Sequence, residues 1–100
     1  MRVQTVMDGH VLRVALHGEC DFLTVSDLDR VLGRIELADS RVVHLDLTHL
    51  AFADVATVRR LAAFAGDAKR AGHDVATCGA HPVLRRVVDL LAVDGELGLS

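Results

Sequence analysis

The residues best suited to site chemistry stand near the middle of the chain, in the sequence Phe-Ala-Asp-Val-Ala-Thr at residues 52–57. Asp54 is a residue type that caps helix N-termini, and the residues after it have helical spacing. Residues 42–47 form a short apolar run typical of a buried strand, so this helix is predicted to begin at the carboxyl end of a strand. Backbone N–H groups at such a helix start can receive an anion. The residue best placed to carry a phosphate there is Ala56, which has no hydroxyl.

Six histidines and two cysteines raise the question of a metal site. His17 with Cys20, and Cys78 with His81, have the spacing of metal ligands. The chain has neither a His-Glu-x-x-His motif nor a repeated Cys-x-x-Cys motif, so we predict no metal and no cofactor. It also has no Gly-rich phosphate loop and no order of residues that compels a nucleophile, so we predict that the protein is not an enzyme.

The composition favours one globular domain that does not bind nucleic acid. The chain has 100 residues, 51% of them hydrophobic and 25% charged, a balance typical of a folded domain. Its net charge of −3 argues against nonspecific DNA binding. Its lack of Trp and Tyr removes the usual stacking platforms of a single-strand nucleic-acid binder. We see no signal peptide and no apolar run near the roughly 20 residues that span a bilayer. We therefore predict a cytoplasmic protein without membrane insertion.

Hydrophobic periodicity predicts the strands around this central segment. Residues 1–7 and 11–17 read as a hairpin, joined by the Asp-Gly dipeptide at residues 8–9, in which both residues can take positive φ. Residues 41–47 and 74–77 read as two more strands, and residues 96–100 as a weak edge strand. One face of the second strand is wholly apolar and is predicted to be buried. That face consists of Leu12, Val14 and Leu16.

Three helices are predicted between these strands. The first is capped by Thr24, the second begins at Asp54 and ends at the Ala-Gly pair at residues 71–72, and the third has Pro82 in its first turn. Each carries an apolar stripe at helical spacing. The stripes are Val25, Leu28, Val31, Leu32 and Ile35 in the first, Val58, Leu61, Ala62, Ala65 and Ala68 in the second, and Leu84, Val87, Val88 and Leu91 in the third.

The order of elements predicts a small α/β domain, with a mixed sheet, an N-terminal hairpin and three main helices packed on it. Cys20 and Cys78 each follow a strand that runs in the same direction as the strand before Asp54. They are therefore predicted to lie along one edge of the sheet. A redox-responsive site and ordinary packing of two small apolar side chains both remain open there.

Four motifs in this order resemble those of the STAS domain, the fold of bacterial anti-sigma factor antagonists. Gly-Glu-Cys-Asp at residues 18–21 resembles the family's Gly-Glu-Leu-Asp, and Val-Val-His-Leu-Asp-Leu-Thr at residues 42–48 resembles its Val-Val-Leu-Asp-Leu-Ser strand. Phe-Ala-Asp at residues 52–54 resembles its Phe-x-Asp, and residues 83–90 resemble its last helix. The resemblance covers nearly all of the chain and predicts one STAS domain over residues 1–100.

The resemblance implies a role in partner switching. Unphosphorylated family members bind an anti-sigma factor, often a GHKL-type protein kinase, and so free a sigma factor. The family pattern continues Asp-Ser-Ser-Gly, and phosphate on the second Ser adds nearly two negative charges that weaken the complex. This chain reads Asp-Val-Ala-Thr at residues 54–57, so Ala56 stands at the acceptor position and Thr57 at that of Gly. We therefore expect an anti-sigma factor antagonist-like module that stays unphosphorylated at the usual site.

The resemblance also places the partner surface around this helix start. The expected partner-binding residues are Asp21, Asp54, Val55, Ala56, Thr57 and Arg59. Asp54 is first a cap, worth about 1 kcal/mol, and second a recognition residue. Thr57 is either a displaced phosphate acceptor or a replacement for Gly, and Arg59 is either a contact to an acidic partner or a solvated helix charge.

Two other interpretations remain open. In the first, which comes second to the antagonist role, the chain is an accessory or ligand-sensing STAS module, such as the small subunit of a lipid-transport ABC system, whose helix start binds an ATPase or a small anion. In the second interpretation, Ala56 only favours a helix start and the protein is not regulated by a kinase. The sequence leaves open whether the domain forms a homodimer.

Overall fold

The structure, a computed structural model, describes residues 1–21, 23–37 and 39–99. Within them four strands form one mixed sheet in the order β1-β2-β3-β4; β1 is antiparallel to β2, and the other pairs are parallel. Three main helices and one short helix complete the domain, which confirms the predicted fold class. The elements are β1 (Arg2–Asp8), β2 (Val11–Cys20), α1 (Val25–Gly33), β3 (Val42–Ala53), α2 (Val55–Arg70), β4 (Asp74–Cys78), α3 (Pro82–Leu91) and α4 (Asp94–Leu97).

The β1–β2 hairpin is confirmed, although its turn lies one residue further along than predicted. Asp8 remains in the strand and pairs with Val11, so the turn residues are Gly9 and His10. Only Gly9 has a positive φ, of +61°, as a two-residue turn with glycine in its first position requires.

The core lies between the sheet and the helices. The predicted apolar face of β2 is buried, and so are all five predicted inward residues of α2. Small alanine side chains let α2 approach the sheet closely. From β3 and the other helices the buried residues include Val43, Leu45, Leu47, Leu28, Leu32, Leu84 and Val88. Of the remaining members of the predicted stripes, Ile35, Val87 and Leu91 are partly buried against this core, and Val25 and Val31 are half-buried.

Strand β3 is longer than predicted. Two bulges interrupt its alternation of buried and exposed side chains, and so its second half does not show the pattern of a strand. The prediction ends the strand at Leu47 and has a connection after it, whereas pairing with β2 continues to Ala53. The register shifts twice, between Ala15 and His17 and between Gly18 and Glu19, and each time β3 contributes one extra residue. Extra residues move the side chains out of phase with the two-residue period. The strand therefore delivers the chain directly to α2.

The predicted C-terminal edge strand is wrong. Residues Asp94–Leu97 form the short helix α4 instead, after Ala92 reverses the chain with a φ of +53°. Leu97 is buried in the core, and its carbonyl accepts the hydroxyl of Thr77 in β4. This buried apolar contact outweighs any edge pairing; Ser100, the last residue of the predicted strand, lies outside the described residues. No helix in the described ranges is long and apolar enough to cross a membrane.

Candidate functional site

The start of α2 is fixed by Asp54, as predicted. Asp54 has extended backbone angles, φ −84° and ψ −179°, and its carboxylate accepts the N–H of Thr57 at 2.9 Å. Its own N–H donates to the carbonyl of Cys20 at 3.3 Å. The helix therefore begins at the end of the sheet where β2 and β3 both terminate.

Thr57 is completely buried beneath this helix start. Its hydroxyl lies 2.8 Å from the Asp54 carboxylate and 3.1 Å from the Cys20 carbonyl. One hydroxyl proton is thus placed between two acceptors, and the side chain joins α2 to the end of β2. In this position the hydroxyl faces the interior, out of reach of a kinase unless the first turn of α2 opens.

Val55 and Ala56 occupy the outer side of the same turn, and both are exposed. Arg59 lies one turn further on, also exposed, and makes no ion pair with any residue that the structure describes. Arg60 points elsewhere and pairs with Asp29 of α1 at 2.5 Å. The two arginines therefore diverge, and Arg60 joins two helices.

Asp21 shapes the neighbouring turn between β2 and α1. Its carboxylate accepts the N–H of Leu23 at 3.0 Å, and its carbonyl accepts the N–H groups of Thr24 and Val25. Thr24 stands at the N-cap position, but its side chain makes no capping hydrogen bond. The Thr24 hydroxyl instead accepts the N–H of Asp21 at 3.1 Å. The predicted capping role of Thr24 is therefore wrong, because its hydroxyl is used in the turn at Asp21 and the N–H of Asp27 donates to the Thr24 carbonyl instead.

Three large apolar side chains are exposed beside the carboxylates of Asp21 and Asp54. Leu23 is 71% exposed, Phe52 49% and Val55 45%. The pairing of Cys20 with Ala53 brings the turn after β2 next to the end of β3. We call the half-buried Asp21 and the exposed Leu23, Phe52, Val55 and Ala56 together the rim. The sequence prediction omits Leu23 and Phe52 from the site, since apolar residues next to helix starts are usually buried.

His81 ties the rim to α3. It caps α3 by accepting the N–H of Leu84 at its Nδ1 atom, at 3.2 Å. Its Nε2 atom lies 3.2 Å from the carbonyl of Ala51, next to Phe52. A neutral imidazole with its proton on Nε2 satisfies both contacts. Sequence reasoning considered His81 only as a metal ligand; its place directly before Pro82 was the signal for a cap.

Asp46 lies in β3 at the first bulge and has a structural role. Hydrogen bonds from the hydroxyl of Thr48 at 2.6 Å, and then from its N–H at 3.0 Å, lower the pKa of Asp46 below its usual value of 3.8. Burial, followed by the nearby Asp46 carboxylate, raises the pKa of Cys78. Cys78 is therefore held in its thiol form, the opposite of what a reactive cysteine requires.

The two cysteines are not brought together. Cys20 is buried and pairs with Ala53 at the far end of β3, whereas Cys78 pairs with Asp46, seven residues earlier on that strand. Among residues 1–21, 23–37 and 39–99 there is no group of three or more His, Cys, Asp or Glu side chains that could hold a metal ion.

Comparison with known proteins identifies the family. The family model described as "Mlab, STAS domain" matches residues 3–99, whereas no curated protein matches this chain. An anti-sigma factor antagonist from Mycobacterium paratuberculosis superposes with a TM-score of 0.80, at 20% identity over 98% of this chain and 83% of that one. The Bacillus cell fate determinant SpoIIAA in its phosphorylated form gives 0.67, at 18% identity over 94% of this chain and 86% of that one.

The anti-sigma factor antagonist SpoIIAA in its unphosphorylated form gives a TM-score of 0.70, also at 18% identity, over 94% of this chain and 84% of that one. At these identities the likeness shows a shared fold. The family model spans almost the whole chain, including all four strands and the rim. This chain therefore belongs to the STAS domain family.

Proposed function

We propose that this chain is a protein-docking module of the anti-sigma factor antagonist type that is constitutively unphosphorylated and has no catalytic role. Its partner is an anti-sigma factor, of which the GHKL-type kinases are the favoured class. The observation that carries the proposal is the exposed start of α2, where Ala56, without a hydroxyl, stands among Leu23, Phe52 and Val55.

The chemistry of the rim suits protein contact better than anion binding. Exposed apolar side chains clustered beside polar groups are typical of interaction surfaces. The carboxylates of Asp21 and Asp54 at the same place repel an anion, which argues against a small-anion site at this helix start. Burial of the Thr57 hydroxyl also argues against a displaced phosphate acceptor.

The related structures support the partner class by their fold. Two are described as anti-sigma factor antagonists, and SpoIIAA is described in both phosphorylated and unphosphorylated forms. A phosphate at a helix start adds nearly two charges to a docking surface. In this chain Ala56 would keep the surface permanently in its unmodified charge state, without an added phosphate.

A capture experiment tests the docking surface. Tagged wild-type protein, Ala56→Glu and Ala76→Glu are compared as baits in a lysate of the native bacterium, with retained proteins identified by mass spectrometry. Ala76 is exposed on the sheet face opposite the helices and serves as the matched control. We expect wild-type protein and Ala76→Glu to retain a GHKL-type kinase, and Ala56→Glu to bind it at least about tenfold more weakly. Retention of a transport ATPase instead of a kinase would favour the accessory role.

A phosphorylation experiment tests the missing acceptor. With the captured kinase and ATP, the Ala56→Ser variant should gain phosphate on the introduced serine and then lose affinity, whereas wild-type protein should gain none. Stoichiometric phosphate on Thr57 of the wild-type protein would contradict the proposal.

A further inference from the structure

Strand β1 is an unprotected edge of the sheet. All seven of its residues pair with β2 without a bulge, and its other side pairs with no described strand. Edge strands are normally protected by charged side chains, proline, bulges or short length. Strand β1 has charges only at its two ends, Arg2 and Asp8, and has no proline and no bulge. The opposite edge strand, β4, is shorter, and Gly98 packs so tightly on it that a Cβ there would lie 3.0 Å from the carbonyl carbon of Val75.

The unpaired backbone groups of β1 can be assigned. The N–H of Val42 donates to the carbonyl of His10 at 3.2 Å, which shows that the even-numbered residues of β2 direct their backbone groups toward β3. The odd-numbered residues of β2 therefore exchange hydrogen bonds with the even-numbered residues of β1. The N–H and C=O groups that point away from the sheet belong to Val3, Thr5 and Met7.

We infer that β1 pairs antiparallel with β1 of a second copy of this chain, about a two-fold axis at Thr5. In this register Thr5 faces Thr5 of the second copy, and Val3 faces its Met7. These are the three residues whose outward backbone groups have no partner among residues 1–21, 23–37 and 39–99. At the two ends, Arg2 of each copy faces Asp8 of the other. The strand is thus complementary to itself in backbone, apolar contact and charge.

The two end charges select this register over its neighbours. Neither Arg2 nor Asp8 forms an ion pair within the described part of the chain. A shift that preserves backbone pairing places Arg2 opposite Val6 in one direction and Asp8 opposite Gln4 in the other. Both shifts lose the two opposite-charge pairs, so the centred register is favoured.

The helix layer leaves room for the second copy. Beside β1 an open groove of about 400 Å³ separates the sheet from the end of α1, and Val3, Thr5 and Ile35 are among its lining residues. Met7, on the same face, is 44% exposed. The two-fold axis would bring Val3 and Met7 of the second copy onto this face and join the two grooves. The helices therefore do not obstruct the continuous eight-stranded sheet.

Sedimentation of the purified protein at several concentrations tests the pairing. We expect a dimer of the 10.8 kDa chain at roughly 100 μM. Arg2→Glu or Asp8→Arg alone should each weaken it about tenfold, since each creates two like-charge pairs. The double variant should restore it, because opposite charges again face each other. Arg86→Glu, an exposed charge reversal on α3, is the control and should not weaken it.

Two further variants test the backbone and the register. Thr5→Pro removes an N–H that β2 does not use, so it should yield a folded monomer with an unchanged circular dichroism spectrum. In a Cys78→Ser background, Thr5→Cys should form a disulfide across the two-fold axis on oxidation, and the neighbouring Val6→Cys should not. A wild-type chain that stays monomeric, or a dimer unaffected by the charge variants, would overturn the inference. The inferred pairing does not depend on the proposed function, because it uses the lateral edge at β1, whereas the rim lies at the carboxyl ends of β2 and β3.

Discussion

At the scale of single residues, the site depends on two side chains that face inward. The Asp54 carboxylate lies 2.9 Å from the Thr57 nitrogen and 2.8 Å from the Thr57 hydroxyl. The same hydroxyl lies 3.1 Å from the Cys20 carbonyl at the end of β2. Ala56, which lies between Asp54 and Thr57 in the sequence, makes no such bond and is free to vary without loss of the helix. On the proposed function, this division would let a docking surface lack an acceptor hydroxyl while its geometry is preserved.

Replacement of Asp54 separates capping from charge. Asp54→Ala should lower the free energy of unfolding by about 1 kcal/mol, because the Thr57 N–H loses its acceptor. Asp54→Asn should change it by only a few tenths of a kcal/mol, since an asparagine side chain caps equally well. Urea denaturation of the three proteins measures both values. Equal losses in the two variants would mean that the negative charge, and not the cap, stabilises α2.

Replacement of Thr48 should give a pH-dependent loss of stability. The pKa of Asp46 is lowered in the folded state, chiefly by the Thr48 hydroxyl, so this contribution is present above the unfolded-state pKa and is lost as pH falls through the folded-state pKa. Thr48→Val should therefore destabilise the domain near neutral pH, by less than about 1 kcal/mol for this exposed pair. The difference from wild type should close in strongly acidic solution.

Unfolding at both pH values in an Asp46→Asn background is the control for this effect. There the Thr48→Val change should no longer depend on pH, because the titrating group is absent. A difference that persists in acid, or in that background, would assign the effect to packing.

At the scale of elements, the two bulges of β3 determine which of its side chains face the surface near the rim. They convert an alternating strand into one in which Leu47, Leu50 and Ala53 are buried and the residues between them are exposed. Phe52 reaches the surface for this reason. Gly18 lies opposite the second bulge, paired with Leu50, with a φ of +95° that side-chain-bearing residues rarely adopt.

Substitution of Gly18 tests this arrangement. Gly18→Ala should lower the free energy of unfolding by about 1–2 kcal/mol through backbone strain. Its new Cβ would approach only Met1, at 3.6 Å, so a clash contributes little. Gly33→Ala, at the end of α1 with open space around it, should instead leave stability unchanged or raise it by up to about 1 kcal/mol. Similar losses at both positions would refute the assigned role of the bulge.

These elements also show which parts of the structure can be predicted from the sequence. Helix α2 is predictable because a capping residue and a stripe of alanines are local signals. The second half of β3 is not, since bulges remove the period on which strand prediction depends. Helix α4 escapes prediction because its four residues are held by the burial of Leu97, a tertiary contact. The cap at Asp54 is a local signal and is therefore predicted. The exposure of Leu23 depends on tertiary packing and is not.

At the scale of the whole molecule, the sheet has two kinds of boundary with different chemistry. The carboxyl ends of β2 and β3 present carboxylates and apolar side chains around the start of α2. The lateral edge at β1 presents unpaired backbone groups between two opposite charges. The helices cover one sheet face and reach neither boundary completely, so both surfaces remain available in one small domain.

If both proposals hold, the two surfaces should act independently. The dimer would carry two rims, one for each copy, and would bind two partner molecules. At a concentration where the wild-type chain is dimeric and the weakened Asp8→Arg variant is monomeric, that variant should therefore bind the captured kinase with unchanged affinity but at one partner per particle. Ala56→Glu should remain dimeric and lose the partner. Sedimentation with labelled kinase measures both the mass and the stoichiometry. A loss of kinase affinity in Asp8→Arg, with its fold intact, would show that pairing at β1 is required to build the docking surface and that the rim of a single copy is insufficient.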